Sequence, residues 1–311
     1  MSDHFIKNIE IKNFKCFEDF KAEGFGRVNL IGGKNNVGKT AFMEACYICL
    51  QKTKGILIQI FIIRNKRNYI HYDRHIELDG VTKPLKELFE QKFEIIINQK
   101  KKIDFSFENK IHSTDYIHRK DIEDIFEKAN SNIQFLDNGV TDEILEKLYG
   151  ILQEENREDI LDQYIHEIDS SIKKFKFIQS IPKLQVNDTY IHLSNFGDGL
   201  KTYISIICSI FSCKNGQLFI DEIDNGIHYT KLDRLWEIIL TISKEQNVQV
   251  FATTHSKECI ESYARVAKKL EDEEITFFKL GRNDEGKLKG MVYPYDWFID
   301  SIEQEEEVRG W

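Results

Sequence analysis

Along the 311-residue chain, the spacing of apolar positions switches repeatedly between the period of a strand and that of a helix. HFIKNIEIKNF (4–14) alternates, with Ile and Phe on one side, which predicts a strand. After a polar turn, RVNLIGG (27–33) predicts a second strand entering a glycine loop. VGKTAFMEACYICL (37–50) then carries apolar residues at helical spacing, with Ala41, Ala45 and Leu50 as good helix formers. The stretch 55–180 is less regular. Within it FEIIIN and KIDFSFE predict a hairpin around QKKK, and DIEDIFEKA, DEILEKLYGILQEE and REDILDQYIHEIDSSI predict helices. We read 55–180 as an inserted lobe, part β and part helical, within a single 1–311 domain.

Strand patterns return at KFKFIQS, KLQVND and TYIHL, followed by a helix from Asp198 to Phe211. QLFID (217–221), a helix over TKLDRLWEIILTISKE, the strand VQVFATTH (248–255) and a helix over SKECIESYARVAKKL come next. ITFFKL and KLKGMVYPY, joined through GRNDEG, close the pattern as a hairpin. Apolar strands alternating with helices predict an α/β fold, a mostly parallel sheet covered on both faces. Neither repeats nor a sustained heptad pattern interrupt this reading.

Composition narrows the classes. Hydrophobic residues make up 41%, enough for a sizeable core, and a net charge of −9 argues against coating nucleic acid by bulk electrostatics. The longest apolar run, GILIQIFII (55–63), is short of a membrane span and runs into RNKR, so the expectation is a cytoplasmic protein with no membrane partner. Cys46 and Cys49 form a CxxC on the helix after the glycine loop, but no second pair completes a zinc site, and we expect buried, reduced packing residues.

Four segments carry chemistry. GGKNNVGKT (32–40) fits GxxxxGK[ST] through Gly33, Gly38, Lys39 and Thr40, in the strand–loop–helix setting a phosphate loop needs. There, backbone N–H groups surround phosphate oxygens, Lys39 reaches the β- and γ-phosphates, and Thr40 binds Mg2+. Asn35 and Asn36 suit unusual backbone angles. QLFIDEID brings Asp221 and Glu222 to a strand's C-terminal end, Asp221 for the metal's outer shell and Glu222 to polarise an attacking water. An acidic strand end in water is the bland alternative. HLSNFGDGLKTYI sets Ser194, Gly197 and Gly199 before a helix, either a second anion site or a capped turn. FATTHSKE ends a strand in His255, a structural histidine or a partner of the γ-phosphate or the water.

The order of these segments resembles the ABC-type P-loop NTPase heads of SMC-like, RecF-like and OLD-like proteins, over 1–53 and about 185–280. It looks closest to small bacterial AAA ATPases allied to the OLD family. The resemblance implies Walker A at GGKNNVGKT, a signature motif at LSNFGDG, Walker B at LFIDE, a D-loop at DNGIH and a switch histidine at TTH. It implies ATP and Mg2+ as cofactors and a homodimer in which Ser194, Gly197, Gly199 and Lys201 meet the partner's nucleotide and Asp224 communicates across the interface. LSNFGDG is one residue longer than LSGGQ between serine and glycine, and Gln59 and Arg64 mark the region where a glutamine loop would sit. A transporter subunit lacks support without LSGGQ; an AAA+ ring lacks an arginine finger. We expect no nuclease of the Toprim type after His255. By resemblance, such ATPases pair with a separate Toprim-like or toxic effector in anti-phage defence. The alternative is a RecF- or SMC-like DNA clamp, for which RNKR, KKK (100–102) and KKFK (173–176) are basic clusters that could touch nucleic acid or face solvent.

Overall fold

The computed structural model describes residues 2–51, 71–72, 75–76, 93–105, 117–118, 132–137 and 140–304. Gln59, Arg64, the basic run 64–67 and the helix expected over 121–129 lie outside these residues. Two sheets sandwich one helix. A four-stranded antiparallel sheet is ordered β2-β1-β4-β5, formed by β1 (Asn8–Phe14), β2 (Phe17–Glu23), β4 (Phe93–Ile97) and β5 (Lys101–Phe105). The six-stranded sheet contains β3 (Val28–Gly32), β6 (Ile133–Leu136), β10 (Gln217–Ile220), β11 (Gln249–Thr253), β12 (Ile275–Arg282) and β13 (Leu288–Pro294). Its order is β13-β12-β3-β11-β10-β6, parallel except for the antiparallel edge β13. A meander of β7 (Ile172–Ile178), β8 (Ile181–Val186) and β9 (Thr189–His192) leads into the signature segment.

Pleating sorts the side chains of the large sheet. Leu218 and Ile220, Val250 and Ala252, and Val28 and Leu30 face one core, which holds the later helices. Phe219, Phe251, Ile31 and Phe278 face the other, against α1 (Lys39–Gln51) and the antiparallel sheet. That double burial explains why α1 is apolar nearly all round: Phe42, Met43, Ala45, Cys46 and Cys49 are all fully buried. Phe42→Ala would cost about 3–5 kcal/mol of stability. The helices behind the first core are α2 (Asp142–Glu154), α3 (Glu158–Ile168), α4 (Asp198–Ser212), α5 (Leu232–Glu245) and α6 (Lys257–Lys269).

Besides three short antiparallel strands at 71–72, 75–76 and 117–118, three further described elements depart from the sequence expectation. The polar turn after the first strand contains β2, whose FEDFKAE buries only Phe17, Phe20 and Ala22. A further parallel strand, β6, flanks β10 in register from Gln217↔Ile133 to Ile220↔Leu136. The closing hairpin continues into α7 (Tyr295–Glu303). Within 55–180 the predicted hairpin is present as β4–β5, which joins β1 (Ile9↔Ile97), so that part of the stretch is woven into the sheets. All six cysteines are free, and Cys46, Cys49, Cys208, Cys213 and Cys259 are buried, as packing residues would be.

Candidate nucleotide site

β3, β10 and β11 are adjacent and parallel, so their C-terminal ends open on one edge. The glycine loop leaves β3 there and turns directly into α1. Gly38 adopts φ +97, and a Cβ on it would stand 2.5 Å from Cys16 Sγ, so both backbone angle and space require glycine. Asn36 takes φ 61, matching the left-handed turn expected of it, while Asn35 and Asn36 are exposed at the loop tip. Gly33 is buried at the start of the turn.

Lys39 folds back over this loop. Its Nζ donates to the carbonyls of Gly33 at 2.8 Å and Lys34 at 3.0 Å, and to His255 Nδ1 at 3.1 Å. Burial pushes the ammonium down to about 8, against the opposing pull of Asp221 and Glu222. His255 is also shifted down, by desolvation first and then by the Lys39 charge, and its neutral ring accepts from Lys39. The β10 and β11 ends meet the loop as the sequence expects. Asp221 Oδ1 accepts from Thr40 Oγ1 at 3.1 Å and from Thr253 Oγ1 at 2.7 Å. Glu222 is exposed and holds φ 52, with its N–H donating to Thr253 Oγ1 at 2.8 Å. Asp224 Oδ1 accepts from Thr254 Oγ1 at 2.7 Å. Thr253 and Thr254 are the site residues that sequence reasoning passed over, although hydroxyls beside His255 at a buried strand end were the available signal.

Asp198 and Lys201, at the start of α4, share a cavity with Asp221 and Glu222, whereas Ser194 and Gly197 do not line it. Leu193–Phe196 forms a short 3-10 turn, and Ser194 is exposed, its N–H and Oγ both donating to His192 Nδ1, at 3.0 and 2.7 Å. Gly197 is exposed and leads into α4 at φ +82. Gly199 packs on the D-loop so closely that a Cβ would sit 2.4 Å from the Gly226 carbonyl. Lys201 turns inward in its own chain, donating to Asp142 Oδ1 at 2.7 Å. Two of the basic clusters are partly neutralised: Lys102 pairs with Glu94 at 2.6 Å, and Lys173 lies 3.8 Å from Asp188.

One hydroxyl (Thr40) and one carboxylate (Asp221) at hydrogen-bonding distance suit Mg2+, which keeps waters and takes its remaining ligands from phosphates. Among the described residues no group of three or more His, Cys, Asp or Glu could hold a metal alone, and no helix is long and apolar enough to cross a membrane.

Loop, acidic strand end and switch strand on one parallel sheet, with an antiparallel sheet packed on α1, define a P-loop NTPase of the ABC-ATPase head type. Solved structures agree on the fold. The chain is similar to an SMC head bound to the C-winged helix domain of ScpA, with TM-score 0.54 and 12% identity over 94% of this chain and 99% of that one. It is also similar to an SMC head with an extended coiled coil bound to the C-terminal domain of ScpA derived from Pyrococcus furiosus, with TM-score 0.53 and 12% identity over 97% and 99% of the two chains. The chain belongs to the AAA ATPase domain family, whose pattern matches residues 5–156 and 123–260. A Helicobacter pylori protein described as an ATP/GTP phosphatase is 24% identical, over 96% of this chain and 97% of its own length.

Proposed function

We propose that the protein binds and hydrolyses ATP at composite sites of a head-to-tail pair, as a nucleotide switch that holds or releases a separate effector protein in anti-phage defence. One observation carries this reading. Walker A, Walker B and the switch strand are already hydrogen-bonded to one another, whereas Ser194 and Gly197 present an exposed turn engaged only locally. A second copy supplies the missing half.

In this reading the backbone from Gly33 to Gly38, with Asn35 and Asn36, wraps the phosphates, and Lys39 exchanges its carbonyl partners for phosphate oxygens. Thr40 and Asp221 would hold Mg2+, which when bound would supply positive charge to offset that of the phosphates. Glu222 takes the proton of the attacking water, and His255 donates to the γ-phosphate once Lys39 has moved. The partner's signature turn, Ser194, Gly197 and Gly199 with α4 behind it, stabilises the charge developing on that phosphate. Asp224 reports closure from the D-loop. The whole of 1–311 acts as one ATPase domain, with 55–180 lying in sequence between Walker A and the signature segment. The description of the Helicobacter relative supports hydrolysis of a nucleoside triphosphate, and the ScpA-bound SMC heads support a protein partner.

Glu222→Gln tests the chemistry. Removing the base should lower phosphate release by about 10²–10⁴-fold while ATP binding persists, so ATP-bound pairs accumulate and the mass in solution doubles. Turnover equal to the wild type would remove Glu222 from this role, and unchanged mass with ATP would remove the pair.

A further inference from the structure

We infer that Thr253 is a positioning residue for hydrolysis, setting both the Asp221 carboxylate and the backbone of Glu222 through a single hydroxyl. The inference rests on the roles of Asp221 and Glu222 proposed above and adds the group that holds them.

Thr253 is the last residue of β11 and is 1% exposed. Its Oγ1 receives the Glu222 N–H at 2.8 Å and donates to Asp221 Oδ1 at 2.7 Å. A hydroxyl has one proton, and the amide can only donate, so the direction of both bonds is fixed: amide to hydroxyl to carboxylate. Ending on a carboxylate makes the second bond charge-assisted, and each bond in such a chain polarises the next. The Thr253 carbonyl also accepts the Ile223 N–H at 2.9 Å, so one residue of the switch strand binds three consecutive residues beyond β10.

Two features show that this clamp does more than close a sheet. Glu222 occupies the left-handed region at φ 52, and the Thr253 hydroxyl meets the amide of that very residue. Asp221 Oδ1 is shared with Thr40 Oγ1 at 3.1 Å, so Thr253 also fixes the acid against the phosphate loop. The neighbouring Thr254, equally buried, repeats the device one step along, donating to Asp224 Oδ1 and accepting the Ser256 N–H at 3.0 Å. Side chains alternate across a strand, yet both hydroxyls reach the segment after β10, because β11 ends here and the chain turns toward α6. The switch strand therefore indexes the metal ligand, the base and the D-loop acid to one another.

The test compares Thr253→Val, which keeps the shape and deletes the hydroxyl, with Thr253→Ser, which keeps the hydroxyl. Turnover, KM for ATP, equilibrium ATP affinity and half-saturating Mg2+ are measured for both, beside Glu222→Gln. A displaced base predicts that valine lowers kcat about 10- to 100-fold with ATP affinity within about threefold, and that half-saturating Mg2+ rises. Serine should restore kcat to within about threefold of wild type. Equal kcat in valine and wild type overturns the inference, as does loss of ATP affinity matching the loss of kcat. If the valine variant does not fold, Thr253→Ala carries the same expectation; if neither folds while serine is fully active, the hydroxyl is structural and the inference fails. Glu222→Gln separates the layers. Wild-type turnover there sinks the base assignment itself, whereas an impaired Glu222→Gln beside an unimpaired Thr253→Val sinks only the clamp.

Discussion

Two glycine-containing turns of this protein, before α1 and before α4, precede helices of similar length, yet they are finished to different degrees. The turn before α1 is enclosed: Lys39 is 5% exposed and contacts its own loop and His255, and Thr40 reaches Asp221. The turn before α4 is open, with Ser194 and Gly197 at the surface and His192, two residues away, as the partner of Ser194. A helix N-terminus attracts anions in either place. The first brings together a cation, a hydroxyl and a carboxylate, whereas the second has the Ser194 hydroxyl and backbone beside the exposed Asp198 that opens α4, with its lysine, Lys201, drawn to Asp142. In the head-to-tail pair proposed above, the first turn would be the receiver and the second the cap that a partner chain brings to it.

The largest test of that division is complementation. Lys39→Ala removes the receiver and should abolish ATP binding, while Ser194→Arg blocks the cap and should leave ATP binding intact but stop turnover. Mixed at equal amounts, the two inactive proteins form hetero-pairs in which one composite site combines the intact loop of one chain with the intact turn of the other. Activity should return to about a quarter of the wild-type rate, since half the pairs are mixed and each keeps one of two sites. A mixture as inactive as its components would show that both turns serve the same chain. Ser194→Arg losing ATP affinity as severely as Lys39→Ala would say the same.

Sequence legibility divides along the same line. The enclosed turn was readable because its requirements are local: a glycine at positive φ, a lysine and a threonine at the head of a helix. The mostly parallel sheet was readable because β3, β10 and β11 are short apolar runs buried on both faces. β6 was missed because Gln134 interrupts IQFL and only its two ends are buried, unlike the equally short but fully buried β10, so it reads as a strand only beside β10. β2 was missed because charged residues interrupt it and a single face is buried. Lys201 was assigned to the partner from its place in the motif, but its contact is with Asp142, a residue of a different helix that no periodicity connects to it. Thr253 and Thr254 were overlooked for a related reason: their importance depends on which strand lies next to β10, and that is topology.

A smaller effect tests the enclosed side through pH. The Lys39 ammonium is held down to about 8 by burial, and phosphate oxygens would restore its ordinary basicity by pairing with it. ATP binding then takes up a proton wherever the free protein has lost one. Affinity should be level below pH 8 and fall about tenfold per unit above it, until the bound-state value is reached. Lys39→Arg, whose guanidinium does not titrate in this range, should flatten the profile whatever its absolute affinity. A wild-type profile level to pH 9.5, measured by equilibrium binding at constant ionic strength in steps of about half a unit, would mean that Lys39 is not the phosphate partner.

The smallest effect concerns which side of the comparison Lys201 belongs to. It stands in the first turn of α4, next to the exposed cap, and the motif resemblance assigns it to the partner's nucleotide. Its Nζ instead meets Asp142 in the first turn of α2, with side chains 30% and 42% exposed. A pair so exposed contributes about 0.2–1 kcal/mol, and Asp142 is independently favoured by the helix N-terminus it occupies. If the pair is a strut between α2 and α4, Lys201→Ala and Asp142→Ala should each lower stability by less than about 1 kcal/mol, and the double variant should cost less than their sum. Turnover should then stay within about threefold of wild type in all three, because no charge that touches the phosphate has been removed. If Lys201 swings out to cap the partner's nucleotide, Lys201→Ala should instead lower turnover nearly as far as Ser194→Arg, while Asp142→Ala, by releasing the lysine, should raise it. Opposite signs for the two single variants would move Lys201 to the open turn; matching small losses would keep it as part of the scaffold that aims that turn outward.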